Sequence, residues 1–213
     1  LIVLITTNKG LCGGLNTNLI RQLLQWYDSS KLNESVFVTL GKKGENFLVR
    51  GQKKLLADFS SSTLSSILPA ITTLITEGYI KGEYKEVNLV YNNFLSALVQ
   101  RPERKTILPI GRIFTDEEVI GQQKTGKIRN YLVEPSVDAI LDTLLFHYLE
   151  NQIRDAAFQA EASEHSARML AMKNATDNAL ELIDLLSLEY NKARQEKITY
   201  EIADIVTARV SVE

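Results

Sequence analysis

The final 78 residues of the chain, positions 136–213, contain neither glycine nor proline. The eleven glycines all fall within residues 10–126, and the four prolines within residues 69–135. Glycine and proline are the residues that most strongly interrupt regular structure. Their joint disappearance therefore predicts one uninterrupted helix over residues 136–213, and it divides the chain into two domains, 1–135 and 136–213.

Small side chains recur along the middle of this helix in steps of three and four, which places them on one face. The stretch ASEHSARMLAMKNATDNAL, residues 162–180, carries few large apolar groups. We call this face the small-residue seam, and it consists of Ala156, Ala160, Ser163, Ala167, Leu170, Asn174 and Asn178. Small residues let a second backbone approach closely, as in a tightly wound coiled coil. The seam therefore predicts a partner helix at short distance.

The predicted length of the helix leads to the same expectation. A helix over residues 136–213 would run to about 115 Å at 1.5 Å per residue. A globular domain of the size of residues 1–135 is only about 30–35 Å across. Most of the helix is therefore expected to extend beyond its own domain, where an apolar face needs cover from another chain segment or another molecule.

Residues 1–135 alternate short β-rich runs with helical patterns. LIVLITT and SVFVTL are typical of buried strands, whereas NLIRQLLQWY has the periodicity of a helix. KTILPI and RNYLV are expected to be later strands. Strands separated by helices indicate a Rossmann-like, three-layer α/β domain with a mainly parallel sheet and some antiparallel pairing late in the domain.

Composition narrows the possible functions. The formal net charge of −2 provides no basic excess, which argues against sequence-independent binding of nucleic acid. No apolar run approaches the ~20 residues of a membrane-spanning helix. The single cysteine, Cys12, excludes an internal disulfide and is expected to be a small buried side chain. Because the chain starts at Leu1 inside a predicted strand, we also expect it to be part of a longer protein.

Two segments together resemble the gamma subunit of F-type ATP synthases. They are GLCGGLN, residues 10–16, after the first predicted strand, and SEHSARMLAMKNATDNA followed by YNKARQEKITYEIADIV, within residues 163–206. The resemblance covers essentially the whole chain and is loosest through residues 50–120. The sequence as given departs from the family in lacking its N-terminal helix, and the small-residue seam is expected to lie where that helix would pack.

This resemblance implies a central rotor stalk, with no catalytic site, cofactor or metal of its own. In the family, the two terminal helices form an antiparallel coiled coil inside a ring of alpha and beta subunits. The α/β domain forms a foot that binds the epsilon subunit (delta in mitochondria) and the membrane ring of c subunits. Proton-driven rotation is thereby coupled to ATP synthesis, and ATP hydrolysis to proton pumping. The implied location is the cytoplasmic face of the bacterial inner membrane, as a peripheral protein, or alternatively the matrix side of the mitochondrial inner membrane.

The resemblance also assigns contact residues. Arg194, Gln195 and Thr199 match positions that hydrogen-bond to a loop of a beta subunit, an interaction that we call the catch. Gln195 and Thr199 lie four residues apart and so share one helix face. Tyr131 and Glu134 match residues near the c ring. The apolar tip beyond the catch is expected to turn in a hydrophobic bearing, and it comprises Ile198, Ile202, Ile205, Val206 and Val210.

Two other functions remain open from the residues themselves. The glycine-rich turn Gly10–Gly14, between a strand and a helix, could bind a dinucleotide in an α/β enzyme. It has neither the GxxxxGK[ST] nor the GxGxxG order, however, so a tight structural turn and no direct nucleotide binding are expected. The seam could instead join two copies of the chain in a homodimeric coiled-coil scaffold.

Overall fold

The computed structural model describes residues 1–60, 64–110 and 136–210. The helices of these residues are α1 (Leu15–Trp26), α2 (Ser29–Glu34), α3 (Lys42–Arg50), α4 (Leu64–Ile80) and α5 (Val137–Val210). The strands are β1 (Ile2–Ile5), β2 (Val36–Leu40), β3 (Lys54–Asp58), β4 (Val87–Phe94) and β5 (Gln100–Leu108). As the absence of glycine and proline predicted, α5 is one helix of 74 residues.

The described strands form one five-stranded sheet in the order β3-β2-β1-β4-β5. β1 pairs in parallel with both β2 and β4, and β2 pairs in parallel with β3. β5 runs antiparallel to β4, with Tyr91 opposite Glu103. The predicted mainly parallel sheet with late antiparallel pairing is therefore confirmed.

Helices cover both faces of the sheet. On one face, Leu19 and Leu23 of α1 and Leu48 of α3 pack with Ile2 and Phe37 of the strands. On the other face, Ile71 of α4 and Ile153 of α5 pack with Val3 and Leu89. Because successive strand residues point to opposite faces and both faces are buried, a strand such as IVLI is apolar throughout. The predicted three-layer arrangement is present.

The chain divides into two compact units, Leu1–Met169 and Leu170–Glu213, and we describe each by itself. The first unit includes the beginning of α5 because Leu149, Ile153 and Ala156 belong to the core beneath the sheet. The predicted domain boundary between residues 135 and 136 follows the composition of the chain instead, and it stays a prediction.

Gly41, which joins β2 to α3, is required by a close backbone approach. Its φ is 116°, and a Cβ built there would lie 2.1 Å from the carbonyl oxygen of Thr6. We expect Gly41→Ala to lower the free energy of unfolding by about 3 kcal/mol, at the upper end of the usual strain for such backbone conformations. Urea denaturation measures this change.

Gly13→Ala is the matched control for Gly41→Ala. Gly13 also has a positive φ, 58°, but a Cβ there would meet nothing within 4 Å. Only the backbone penalty of about 1–2 kcal/mol applies at this position. Equal losses in the two variants would contradict the close approach at Gly41.

Candidate functional site: the seat and the exposed segment of the long helix

We call residues 149–168 of α5 the seat, because this segment packs on the sheet of the first unit. Leu149, Ile153, Ala156 and Ala157 are buried in the core that the sheet shares with α4, and Ala160 packs against it partly buried. Along the seat, Leu and Ile give way to Ala, and these smaller side chains let the backbone of α5 lie closer to the sheet. The seat is therefore a site of intimate contact between α5 and the sheet.

Serine hydroxyl groups bond the C-terminal end of the seat to the first unit's loops and strand ends. The Ser163 Oγ donates to the carbonyl oxygen of Asn92 at 2.9 Å, and the Ser166 Oγ donates to that of Ala97 at 2.7 Å. Ser163 is fully buried, and Ala167 packs in a small cluster with Cys12 and Leu15. These short side chains place the helix directly against the end of β4 and the turn after β1.

At four seam positions the structure gives a different neighbour from the one predicted. Ala156, Ala160, Ser163 and Ala167 face the sheet and its loops in the first unit, where a second helix was expected. The spacing correctly predicted a close backbone, but that backbone belongs to the chain's own domain. Of the other seam residues, Leu170 is half-buried, whereas Asn174 and Asn178 are exposed. A second helix against these three stays a prediction.

The seat also occupies the crevice where a dinucleotide would bind. In open α/β sheets, ligands bind outside the carboxyl ends of the strands where the strand order reverses, which here lies between β1 and β4. Ser163 contacts the end of β4, and Ala167 contacts Cys12 in the turn after β1. The helix therefore contacts both sides of this crevice, which argues against the dinucleotide-binding alternative.

The polar groups of the glycine-rich turn bond within the chain. The Asn16 Nδ2 donates to the Thr7 Oγ1 at 2.8 Å, and the Thr7 backbone N–H donates to the Asn16 Oδ1 at 3.3 Å. Cys12 is buried, as its sequence context predicted. The residues of this turn therefore support a structural role in joining β1 to α1.

A buried phenol lies under the seat. Tyr91 of β4 is 3% exposed and lies opposite Glu103 of the adjacent strand. Burial raises the pKa of the Tyr91 phenol far above its ordinary value, and the nearby Glu103 and Asp155 carboxylates raise it further. The phenol therefore stays neutral, so it places no charge in the core that α5 shares with the sheet.

Sequence reasoning missed an apolar rim at the carboxyl end of the sheet. Leu11 is 73% exposed and has a φ of 63°, which is uncommon for a residue other than glycine. Leu95, Leu98 and Val99, in the turn between β4 and β5, are also exposed. The unusual backbone at Leu11 and the exposure of the rim could not be inferred from periodicity, because both belong to turns.

In the second unit, exposed large apolar side chains lie on all sides of α5. We call residues 180–206 the exposed segment. At 100° per residue, Leu182 and Tyr200 share one side, and Ile198 lies about 160° from Leu182. The exposed large apolar residues of the segment are Leu180, Leu182, Ile183, Leu185, Leu186, Leu188, Tyr190, Ile198, Tyr200, Ile202, Ile205 and Val206. One partner helix covers one side only, so the segment is built for more than one neighbour.

The predicted catch and bearing lie on the exposed segment and just beyond it. Arg194, Gln195 and Thr199 are exposed, and the Thr199 Oγ1 donates to the backbone carbonyl oxygen of Gln195 at 2.9 Å. This internal bond uses the hydroxyl proton and leaves the Thr199 oxygen available as an acceptor. Ile198, Ile202, Ile205 and Val206 are exposed, and Val210 is the last residue of α5. The predicted c-ring residues, Tyr131 and Glu134, lie outside the described residues.

Two kinds of feature are absent from the described part of the chain. Neither α5 nor any other described helix combines the length and the apolar character that a membrane crossing requires. Within residues 1–60, 64–110 and 136–210, no three His, Cys, Asp or Glu side chains converge as metal ligands would. The features that the structure does show are a seat and an exposed apolar helix.

A mainly parallel α/β sheet, with residues 149–168 of a 74-residue helix packed on it, defines an α/β protein with one very long helix. The family model described as ATP synthase matches residues 1–212. The chain is 38% identical to the ATP synthase gamma chain of Methylacidiphilum infernorum, over all of this chain and 74% of that protein. It is 40% identical to the ATP synthase gamma chain of Herpetosiphon aurantiacus, over 99% of this chain and 72% of that one.

A solved structure supports the same assignment. The rotor of the mitochondrial ATP synthase of Euglena gracilis matches 92% of this chain and 74% of the aligned chain, with a TM-score of 0.63 and 25% identity. This chain belongs to the ATP synthase gamma-chain family. It is a subunit of the ATP synthase complex, and the predicted resemblance is confirmed.

Proposed function

We propose that this chain is the central rotor stalk of an F-type ATP synthase, coupling rotation of a membrane c ring to ATP synthesis in a ring of alpha and beta subunits. The observation that carries the proposal is the exposed segment, residues 180–206, with large apolar side chains on all of its sides. A helix of this kind is stable only when it is surrounded. A closed ring of subunits supplies cover on all sides, whereas a single partner helix does not.

The neighbours of α5 would change along its length. The seat is covered by the chain's own sheet. Beyond it, we propose that the N-terminal helix of the family packs on Leu170, Asn174 and Asn178 as an antiparallel coiled coil. The alpha and beta subunits would cover the remaining sides, and the tip at Ile198, Ile202, Ile205, Val206 and Val210 would turn in an apolar bearing. A homodimeric scaffold would cover one stripe and leave the other sides of the exposed segment in water.

The α/β domain would be the foot of the stalk. We propose that it binds the epsilon subunit, or delta in mitochondria, and the c ring, with Tyr131 and Glu134 near the ring. In this assignment residues 1–135 form the foot and residues 136–213 form the shaft. The chain would be a peripheral membrane protein on the cytoplasmic face of the bacterial inner membrane, or on the matrix side in a mitochondrion.

The catch provides a direct test in the assembled complex. Gln195 and Thr199 share a face, and the Thr199 oxygen can accept a hydrogen bond from a beta-subunit loop while Arg194 binds a carboxylate. We expect the double variant Gln195→Ala, Thr199→Ala to slow proton-driven ATP synthesis about 5- to 30-fold. This factor corresponds to the loss of roughly 1–2 kcal/mol of hydrogen bonding. ATP synthesis in reconstituted vesicles measures the change.

Lys197→Ala is the matched control for the catch. Lys197 is two residues from Gln195 and points about 200° away. Its side chain is 79% exposed, and its ion pair with Glu201 is 4.0 Å long. We expect this variant to synthesise ATP at the parental rate. A double variant that also works at the parental rate would refute the catch.

A further inference from the structure

A cavity of about 250 Å³ lies at the carboxyl ends of β1 and β2, beside the crevice that the seat occupies. Its walls come from the strand ends and the residues after them, from α4 and from the seat. The carboxyl edge of an open α/β sheet is the usual position of ligand sites in such folds. The rotor assignment proposed above gives this cavity no role.

The inner walls of the cavity are apolar. Ile5 and Leu40 end their strands, Ile67 extends from α4, and each is less than a tenth exposed. Phe59, which follows β3, contributes a half-buried aromatic ring, and Ala160 of α5 leaves space because its side chain is short. These walls suit the apolar body of a small organic molecule.

On the sheet side of the cavity, the Thr6 hydroxyl and the Asn8 side-chain oxygen are already engaged. The Thr6 Oγ1 accepts from the Gly44 backbone N–H at 2.8 Å and donates to the Gly41 carbonyl at 3.0 Å. The Asn8 Oδ1 accepts from the Lys42 backbone N–H at 3.0 Å. These bonds hold the first turn of α3, and the charged side chains that line the cavity both belong to α5, so a charged ligand group is expected to face α5.

Two carboxylates of α5 line the cavity on that side. Glu161 and Glu164 are three residues apart and therefore share a helix face. Glu164 forms an ion pair with Arg168, and that pair is mostly shielded from solvent. Glu161 is half-exposed, and its Oε1 lies 3.9 Å from the Nε2 of His165. A carboxylate at Glu161 thus remains available to a cation.

An anionic side chain, an aromatic ring and apolar walls in one cavity are the chemistry that recognises an organic ammonium ion. We propose that this cavity is a binding site for a small organic monocation, a primary amine with an apolar body. The ammonium group bonds to Glu161 near Phe59, and the apolar body rests on Ile5, Leu40 and Ile67. The bound molecule would bridge the sheet and the seat of α5.

Titration of the full chain with benzylamine tests the site, with binding followed by calorimetry. We expect one saturable site with a Kd on the order of 1 mM, as is usual for a fragment of this size. Glu161→Gln should weaken binding about two- to fivefold, the range for a half-exposed ion pair. Ala160→Leu should abolish binding by filling the cavity. Benzyl alcohol, which keeps the ring and lacks the charge, should bind more weakly than benzylamine.

Glu181→Gln is the control variant, because Glu181 is an exposed carboxylate of α5 outside the cavity. It should bind benzylamine like the parent chain. Equal affinity for benzyl alcohol and benzylamine would overturn the cation site, even if Ala160→Leu failed to fold. Unchanged binding in Glu161→Gln, or no saturation within the solubility of the amine, would overturn it as well. None of these outcomes depends on ATP synthesis, so the rotor proposal is tested separately.

Discussion

Ala167→Pro is expected to lower the free energy of unfolding of the α/β unit by about 3 kcal/mol or more, and to abolish coupled ATP synthesis in the complex. A proline at this position removes the amide that an α-helix bonds to the carbonyl of residue 163, and its ring clashes with that carbonyl. Ala167 is 9% exposed and packs on Cys12 and Leu15, so the kink would also separate the seat from the turn after β1. Urea denaturation of the chain and ATP synthesis by the complex measure the two effects.

Ala167→Ser is the control for the proline variant. A serine hydroxyl in a helix bonds to the carbonyl four residues earlier and leaves the helix intact. We expect a loss of less than about 1 kcal/mol, which is the usual centre of single-residue effects. A proline variant as stable and as well coupled as the serine variant would mean that α5 need not be continuous at the seat.

Ile153→Ala is expected to destabilise the isolated chain by about 2–5 kcal/mol, the range for truncating a large buried aliphatic side chain. Ile153 is fully buried between the sheet and α5, in the same core as Val3 and Leu89. Truncation would leave a cavity under the helix where the backbone cannot collapse to fill it. Urea denaturation measures the loss.

Ile198→Ala is the matched variant, because it makes the same substitution on the same helix at a residue that is 47% exposed. In the isolated chain we expect a change within about 0.5 kcal/mol. In the complex, where the proposed ring covers Ile198, we expect slower ATP synthesis than in the parent. If both variants destabilised the isolated chain equally, residue 198 would be packed within the chain itself. Parental ATP synthesis in the Ile198→Ala complex would contradict the bearing.

The sequence predicted the fold well because its signals are local. The continuity of α5 follows from the missing glycine and proline, and the buried strands follow from runs such as IVLI. The strand order β3-β2-β1-β4-β5 depends on contacts between residues far apart in the chain, such as Leu4 with Val90. Local patterns in a single sequence do not reveal such contacts. The layers were predictable, but their connections were not.

The site was predicted only in part, because small side chains indicate a close neighbour without identifying it. Ala156 and Ser163 indicate that some backbone lies close, but their spacing on a helix does not distinguish a partner helix from the end of a strand. The bond from Ser163 to Asn92 joins residues 71 apart, so it is visible only in the folded chain. For the exposed segment, the sequence predicted an apolar face that needs cover, and the structure shows large exposed apolar residues on opposite sides of the helix.

The close seating of α5 also determines how the helix resists twisting. If the helix turned about its axis by one residue, or 100°, the position of Ala156 would pass to Asp155 or to Ala157. In one direction this motion drives an exposed carboxylate into the core beneath the sheet, and it breaks the hydroxyl bonds of Ser163 and Ser166. The buried alanines and the two serine bonds therefore resist rotation of α5 against the sheet. A torsional load applied to the seat is transmitted to the whole α/β unit.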